Sequence, residues 1–321
     1  MEFYEKLAKN VIDLISKKYS YLSVKTEEFE EAKKDLIKDV PNASNCNDTL
    51  KILTKYLSLF KDGHLEVVDS QGFSHKTWNL NKTNFDNETA DYYLKNKKVF
   101  GPITVGDLEN ILYVRISSFS NRFKKNFEEL YLLNPSQNKY IIDLRPNTGG
   151  DETLAYPLIN FLLGDSGKEI AYYLRRRTDE CDASKLSDFE PIFIKSDFKH
   201  PRKSVTVLIG PKTFSSGELT AMRLKAIPES IVIGDISSGG SGCPACYLTD
   251  GKNMGKYVNP SDKPDDFGSK FAIKLPSWLC YKADKTLLQN KGITPDILIP
   301  SKDSIVNSKD LVLEKAITRM K

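Results

Sequence analysis

Several residue classes that would mark common kinds of protein are scarce in this chain. Only five of its 321 residues are cysteine, an odd number that does not fit a disulfide framework. No apolar run approaches the length of a membrane-spanning helix, and the amphipathic N-terminus is too interrupted for a secretory signal. The chain as it stands is therefore expected in the cytoplasm. A location in the cell envelope or outside the cell is expected instead if a leader has been removed.

Charge of one sign is not in excess either. The 47 basic and 43 acidic residues leave a net charge of +4, and no basic run is interleaved with aromatic residues. Nucleic acid is therefore not an expected partner. Cys243 and Cys246 form a lone Cys-x-x-Cys in a Gly/Ser-rich loop, without the second pair that a zinc site needs. No metal or cofactor is predicted, and a structural, incidental or redox role stays open for this pair.

Histidine occurs only three times, so a histidine-dependent mechanism has few candidates. His75 lies in a polar stretch, and His200 lies in an exposed basic segment that precedes a strand. His64 follows the turn signal Asp62-Gly63 and stands at the entry to a short strand. A structural role is the common alternative for such a residue.

The most informative stretch that is present runs from residue 205 to residue 226. Its β-branched and aliphatic start predicts a buried strand, and the spacing of Leu219, Met222 and Ala226 predicts a helix with one apolar stripe. Ser215 and Ser216 fall at the turn between them. A serine at a helix start can cap unpaired N–H groups, or it can attack a carbonyl whose oxyanion those groups bind. Both interpretations fit the local sequence.

A second buried strand is predicted over residues 140–145, and Gly149 and Gly150 follow it. Paired glycines after a strand let a backbone approach a ligand closely with its N–H groups exposed, or simply make a sharp turn. The repeating strand–helix pattern of residues 111–299 indicates an α/β domain. The predicted organisation is a helical subdomain, a linking region that carries His64, an α/β core and a C-terminal helix: residues 1–62, 63–110, 111–303 and 304–321.

Five segments in this order resemble the S41 serine peptidases, which include the C-terminal processing proteases and the tricorn core protease. They are Asp62-Gly63-His64, the strand pair ILYVRISSF and YIIDLRPNTGG, TFSSGE, IVIGDISSGGSG and GITPDILI. The resemblance implies a ClpP/crotonase-like fold of repeated ββα units. The segment between His64 and the strand at residue 111 is too short for the PDZ-like domain of many relatives.

The resemblance also implies an active site. Ser215 matches the nucleophile, and the N–H groups of Ser216 and of Gly149 or Gly150 match the oxyanion hole. Gly240 stands where the processing proteases carry their catalytic lysine, so a Ser–Lys dyad is absent at that position. His64 matches the histidine base of the tricorn branch.

One position departs from the histidine-type relatives. Gln289 occupies the place of the acid that orients the histidine. An amide can fix a histidine tautomer but cannot stabilise imidazolium by charge, so Glu218 and Asp284 remain alternative orienting acids. The sequence therefore predicts a serine endopeptidase that acts on a polypeptide. The alternative is a weakly active or inactive module that binds a peptide or an apolar ligand.

Overall fold

The structure is a computed structural model that describes residues 2–69, 71–78, 82–130, 136–249 and 271–321. The chain forms two compact units, each assembled from three separate segments. The first comprises Met1–Asn79, Leu174–Glu190 and Gly242–Cys280, and the second comprises Leu80–Tyr173, Pro191–Ser241 and Tyr281–Lys321. Within the described ranges, no helix is both long and apolar enough to cross a membrane.

The first unit combines helices with a small antiparallel sheet. Its helices are α1 (Glu2–Lys18), α2 (Thr26–Asp39) and α3 (Cys46–Leu57). Its strands are β1 (Glu66–Val68), β2 (Ser74–Lys76), β11 (Pro244–Leu248) and β12 (Ala272–Pro276), in the order β11-β12-β1-β2. Buried apolar side chains on one face of each helix, such as Val11, Leu36 and Leu53, form part of the core.

The second unit is built on a seven-stranded sheet of order β14-β10-β9-β6-β5-β4-β3. Its strands are β3 (Lys95–Phe100), β4 (Ile103–Leu108), β5 (Ile111–Ile116), β6 (Lys139–Asp143), β9 (Ser204–Ile209), β10 (Ile231–Gly234) and β14 (Ile297–Leu298). In this sheet, neighbouring strands among β5, β6, β9, β10 and β14 pair in parallel. Strands β3 and β4 add an antiparallel edge. Helix α9 (Leu311–Met320) packs on this sheet through Val312, Leu313 and Ala316.

The described residues form further helices and strands. They are α4 (Asn87–Tyr92), α5 (Lys124–Glu129), α6 (Tyr156–Leu163), α7 (Ser216–Lys225), α8 (Ser301–Ser304), β7 (Lys168–Arg176), β8 (Glu190–Lys195), β13 (Trp278–Lys282), β15 (Ile305–Val306) and β16 (Lys309–Asp310). Strands β13, β7 and β8 form a three-stranded sheet, and β15 pairs with β16.

Arg145 anchors the loop that follows β6. Its guanidinium is fully buried and donates to Asp143 at 2.6 Å and to Asp310 at 2.8 Å. Asp310 also caps α9, because its carboxylate accepts the N–H of Leu313. The Asp-Leu-Arg stretch therefore fixes the start of the loop that carries Gly149 and Gly150, here called the glycine loop, to the last helix of the second unit.

Candidate active site

The candidate site lies at the edge of the large sheet where β6 and β9 end. Because the two strands pair in parallel, the loops that follow them emerge side by side. Thr213 Oγ1 donates to the carbonyl of Leu144 at 2.8 Å, and Phe214 N donates to the carbonyl of Asn147 at 3.0 Å. These bonds bring the loop that carries Gly149 and Gly150 against the Ser215 turn.

Ser215 has a strained backbone conformation. Its φ of 55° and ψ of −124° lie in a region that residues with a Cβ rarely adopt. It directly precedes α7, yet its side chain makes no capping hydrogen bond to that helix. Its N–H donates to the carbonyl of Gly240 at 3.0 Å. A sharp, strained strand-to-helix turn is the arrangement that presents a serine hydroxyl as a nucleophile. The side chain of Ser215 does not cap α7.

Gly149 lies directly against Ser215. A Cβ added at Gly149 would be 2.8 Å from the Cβ of Ser215 and 3.2 Å from its Oγ, and the φ of +99° excludes most other residues. At Gly150 a Cβ would collide with the carbonyl oxygen of Phe119. Gly149 therefore permits a close approach to the Ser215 turn, and Gly150 permits a close approach to the Phe119 backbone, so the pair does more than make a sharp turn.

Among the three amides of the predicted oxyanion hole, one is already engaged. The N–H of Gly149 donates to Oδ1 of Asn147 at 2.9 Å. The N–H groups of Gly150 and Ser216 have no acceptor within the described residues. The hydroxyl of Ser216 donates to the carbonyl of Gly150 at 2.5 Å, so it is committed to the backbone of the glycine loop. Asn147 was not singled out in the sequence, although it stands two residues before the glycine pair.

Glu218 is a buried carboxylate on α7 that holds the loop at residues 237–240. It accepts from Ser237 Oγ at 2.5 Å and from the N–H groups of Gly239 and Gly240 at 2.8 Å each. Burial raises the pKa of Glu218 to about 7, even though these donors act in the opposite direction. Its contacts are those of a residue that satisfies turn amides.

Gln289 is buried, with 3% of its surface exposed, and neither atom of its side-chain amide has a hydrogen-bond partner within the described residues. Its neighbour Asn290 donates its N–H to the carbonyl of Gly239 at 2.7 Å. An unpartnered buried amide costs about 1–3 kcal/mol, so its presence calls for an explanation. Asp284, the other alternative acid, is exposed and accepts from Thr286.

His64 belongs to the first unit, where it lies on the turn before β1. The buried carboxylate of Asp62 accepts the N–H of His64 and the hydroxyl of Tyr19, each at 2.9 Å. The side chain of His64 is buried, and burial lowers its pKa to about 4. The imidazole is therefore neutral at neutral pH and able to accept a proton.

The other two histidines have different surroundings. His75 is partly exposed, and its Nε2 lies 2.7 Å from Oδ2 of Asp69 in the β1–β2 hairpin. His200 packs its ring against Phe161, with centroids 4.8 Å apart. Among the described residues, no group of three or more His, Cys, Asp or Glu side chains could hold a metal ion. Cys243 is exposed and Cys246 is buried.

A cavity of about 420 Å³ lies beside the second half of α7 in the second unit. Met222, Ala171 and Ile293 form apolar parts of its wall, and Lys225 and Lys282 add charge. Its lining includes neither Ser215 nor the glycine loop. The cavity is therefore separate from the strained serine.

Comparison with models of protein families identifies one family. The sequence model described as peptidase family S41 matches residues 110–299. The nisin-resistance protein of Lactococcus lactis subsp. lactis is 28% identical over 245 residues, which cover 71% of this chain and 69% of that protein.

Solved structures share the fold. A presumed peptidase from Parabacteroides merdae ATCC 43184 has a TM-score of 0.77 at 19% identity, covering 98% of this chain and 96% of its own. Mature CPAF has a TM-score of 0.62 at 12% identity, covering 98% of this chain and 95% of its own. The predicted α/β class is confirmed, and the fold is that of these structures.

Proposed function

Because the chain belongs to peptidase family S41, we propose that it hydrolyses peptide bonds through an acyl-enzyme formed on Ser215. The observation that carries this proposal is the strained Ser215 turn packed against Gly149. Such a turn stores strain that a merely structural serine does not need. The family and the fold support a protease, and the assignment of individual residues rests on the local geometry.

In this mechanism the hydroxyl of Ser215 attacks the carbonyl carbon of the scissile bond. His64 is proposed as the general base that takes the hydroxyl proton and later gives it to the leaving amine. The neutral imidazole can take the proton, and because burial lowers its pKa to about 4, the imidazolium that forms needs support from the groups around it. Gln289 is proposed to fix the orientation of the imidazole without supplying charge.

The oxyanion is proposed to bind the N–H groups of Gly150 and Ser216. The amide of Gly149 is the weaker candidate, because Asn147 already accepts it. Hydrogen-bond donors aimed at the developing oxyanion are worth a factor of about 10²–10³ in turnover for each donor. The bond from Ser216 Oγ to the Gly150 carbonyl supports a fixed spacing between the two proposed donors.

The proposal is tested by covalent labelling with a fluorophosphonate probe, followed by peptide mapping of the labelled residue. The intact chain should be labelled on Ser215, and Ser215→Ala should abolish both labelling and peptide hydrolysis. Ser216→Ala should still be labelled, more slowly, because the Ser216 hydroxyl is bound to the Gly150 carbonyl. Ser184→Ala, at an exposed serine of the first unit, is the matched control and should behave as the unmodified chain.

Two results would contradict this assignment. Labelling that survives Ser215→Ala would place the nucleophile elsewhere. Labelling that is lost in Ser216→Ala and kept in Ser215→Ala would exchange the roles of the two serines.

Unfolded casein and a peptide library serve as general substrates. Similarity to a nisin-resistance protein makes nisin a further substrate to be tried.

A second candidate function is a binding module with little or no catalysis. The observation that favours it is Gln289, a buried neutral amide where histidine-type relatives carry an acid. A chain that neither labels nor cleaves, yet binds a peptide or an apolar ligand in equilibrium dialysis, would support this function in place of the first.

A further inference from the structure

Glu218 is the hub of the loop at residues 237–240. One carboxylate oxygen accepts from the Ser237 hydroxyl and the Gly239 N–H, and the other accepts from the Gly240 N–H and, at 3.4 Å, from the Ser238 hydroxyl. The carboxylate therefore satisfies two backbone amides that would otherwise be buried without an acceptor. Such amides need a partner, and an ionised carboxylate is the strongest one available.

The same loop is bonded to the two neighbouring parts of the candidate site. The Gly240 carbonyl accepts the N–H of Ser215 at 3.0 Å, and the Gly239 carbonyl accepts the N–H of Asn290 at 2.7 Å. The Ser237 hydroxyl also accepts the N–H of Ile293 at 2.7 Å. Glu218 is thus connected through one loop to the strained serine and to the segment that carries Gln289.

No fixed charge balances this carboxylate. Within the described residues, no lysine, arginine or histidine forms an ion pair with Glu218, and the groups that donate hydrogen bonds to it are two hydroxyls and two backbone amides. The residue 289–293 segment bonded to the loop contains one charged side chain, that of Lys291, which is exposed. Glu218 therefore titrates under the control of burial and of the loop itself.

We propose that Glu218 is a positioning residue whose ionised form holds the residue 237–240 loop, and with it the Ser215 turn, in the reactive conformation. The inference rests on the function proposed above and adds a proton-dependent control of the same site. Protonation converts one acceptor oxygen into a donor that faces an N–H group. A carboxylic acid is a poorer acceptor than a carboxylate, so the hydrogen bond from the Gly240 N–H weakens, and the hold on Ser215 through the Gly240 carbonyl weakens with it.

The pH range of this control follows from the two titrating groups. Burial raises the pKa of Glu218 to about 7 and lowers the pKa of His64 to about 4. Activity that falls as pH decreases from 8 to 6 therefore reports Glu218, whereas titration of His64 acts at lower pH. The separation makes the two contributions distinguishable in one pH–rate profile.

Glu218→Gln and Ser237→Ala test the proposal. The side-chain amide that Glu218→Gln introduces places an NH₂ group where an acceptor is required, so the variant imitates the protonated form. We expect kcat/KM at pH 8 to fall about 10- to 100-fold through kcat, the cost of a displacement of about 1 Å, and the decline near pH 7 to disappear. Ser237→Ala removes one donor from the ionised form and should move that decline to higher pH. Glu128→Gln, at an exposed glutamate of α5, is the matched control.

A second measurement separates this inference from the proposed function. The pH dependence of thermal unfolding reports the titration of Glu218 whether or not the chain is catalytic. The loop contacts are read from the amide exchange of residues 237–240 on either side of pH 7. If Glu218 titrates and these contacts are intact but the chain is not labelled, only the proposed function is contradicted. A labelled, active chain whose Glu218→Gln variant keeps the full decline near pH 7 overturns the inference. A protection factor at that loop, which is the exchange rate corrected for its intrinsic pH dependence, that stays unchanged across pH 7 overturns it as well.

Discussion

At the scale of single residues, the proposed mechanism depends on Gln289, a neutral amide at the position where the family resemblance implies an acid. Gln289 is buried and its amide is unpartnered within the described residues, whereas an acid at this place would stabilise imidazolium. A neutral amide also avoids the free-energy cost of burying a charged side chain. In the proposed mechanism, Gln289 therefore gives the histidine base less electrostatic support than a carboxylate would, and it introduces no uncompensated buried charge.

Gln289→Glu is expected to raise the rate of hydrolysis. The added carboxylate would stabilise the protonated His64 that forms during attack, and the gain should lie between about tenfold and 10⁴-fold, the upper figure being the loss seen when a triad carboxylate becomes an amide. The measurement is kcat on a fluorogenic peptide at pH 8.

The companion substitution is Gln289→Leu, which removes the amide at similar volume. Turnover should fall, while the free energy of unfolding in urea should stay equal or increase by about 1–3 kcal/mol, because an unpartnered buried amide is lost. Equal turnover in Gln289→Leu and the unmodified chain would show that this residue does not orient the base.

Residue identity alone could indicate Ser215, the glycine pair and His64, because each matched a motif of a known family. It could not predict which of the two glycine N–H groups is already hydrogen-bonded, because that depends on the Asn147 side chain, which accepts the N–H of Gly149. The role of Glu218 was left open in the sequence for a similar reason. Two of its donors are backbone amides of a loop 21 and 22 residues away. Nearly every residue carries such an N–H group, so the sequence does not reveal which ones a carboxylate will accept.

At the scale of elements, runs of β-branched residues were reliable guides. The strands predicted at residues 205–209 and 140–145 correspond to β9 and β6. Helix α7 was predicted with one apolar stripe, yet every residue from Ser216 to Leu224 is buried. Periodicity could not reveal this, because Arg223 is buried through hydrogen bonds and ring contacts with Tyr156 and Tyr172.

Element ends were harder to predict than element centres. Asn and Asp are both common N-cap residues, and α3 uses Asn45, whose side chain accepts the N–H of Asp48 three residues later. A C-terminal helix was expected from residue 304, whereas residues 305–310 form a short hairpin and α9 begins at Leu311. The hairpin ends at Asp310, whose pairing with Arg145 is a long-range contact that local sequence does not encode.

Arg145→Met is expected to destabilise the attachment of α9 to the sheet. The substitution leaves Asp143 and Asp310 buried without their shared cation, which should cost about 3–5 kcal/mol of unfolding free energy. Urea unfolding followed by circular dichroism measures the loss. The control is Arg176→Met, which breaks an exposed pair with Glu190 and should cost about 0–1 kcal/mol. Equal losses in both variants would contradict the assigned role of the Arg145 cluster.

At the scale of the whole molecule, two buried groups make opposite contributions to the pH dependence of stability. The folded-state pKa of His64 is lowered to about 4, so the unfolded chain binds its proton more readily and stability falls as pH decreases below 6.5. The folded-state pKa of Glu218 is raised to about 7, so the folded chain binds its proton more readily. Stability from this group falls as pH increases from 4.5 through 7.

The two slopes should largely cancel between pH 4.5 and pH 6.5, and single variants should reveal them. Each shift corresponds to a contribution on the order of 3 kcal/mol. In His64→Gln the Glu218 contribution remains, so unfolding free energy should decrease as pH rises. In Glu218→Gln the His64 contribution remains, so it should increase over the same range. The test compares the slopes from urea unfolding at about pH 5, 5.75 and 6.5, because slopes are insensitive to the fixed cost of each substitution. Parallel slopes in the two variants would mean that these groups do not titrate from the buried positions described.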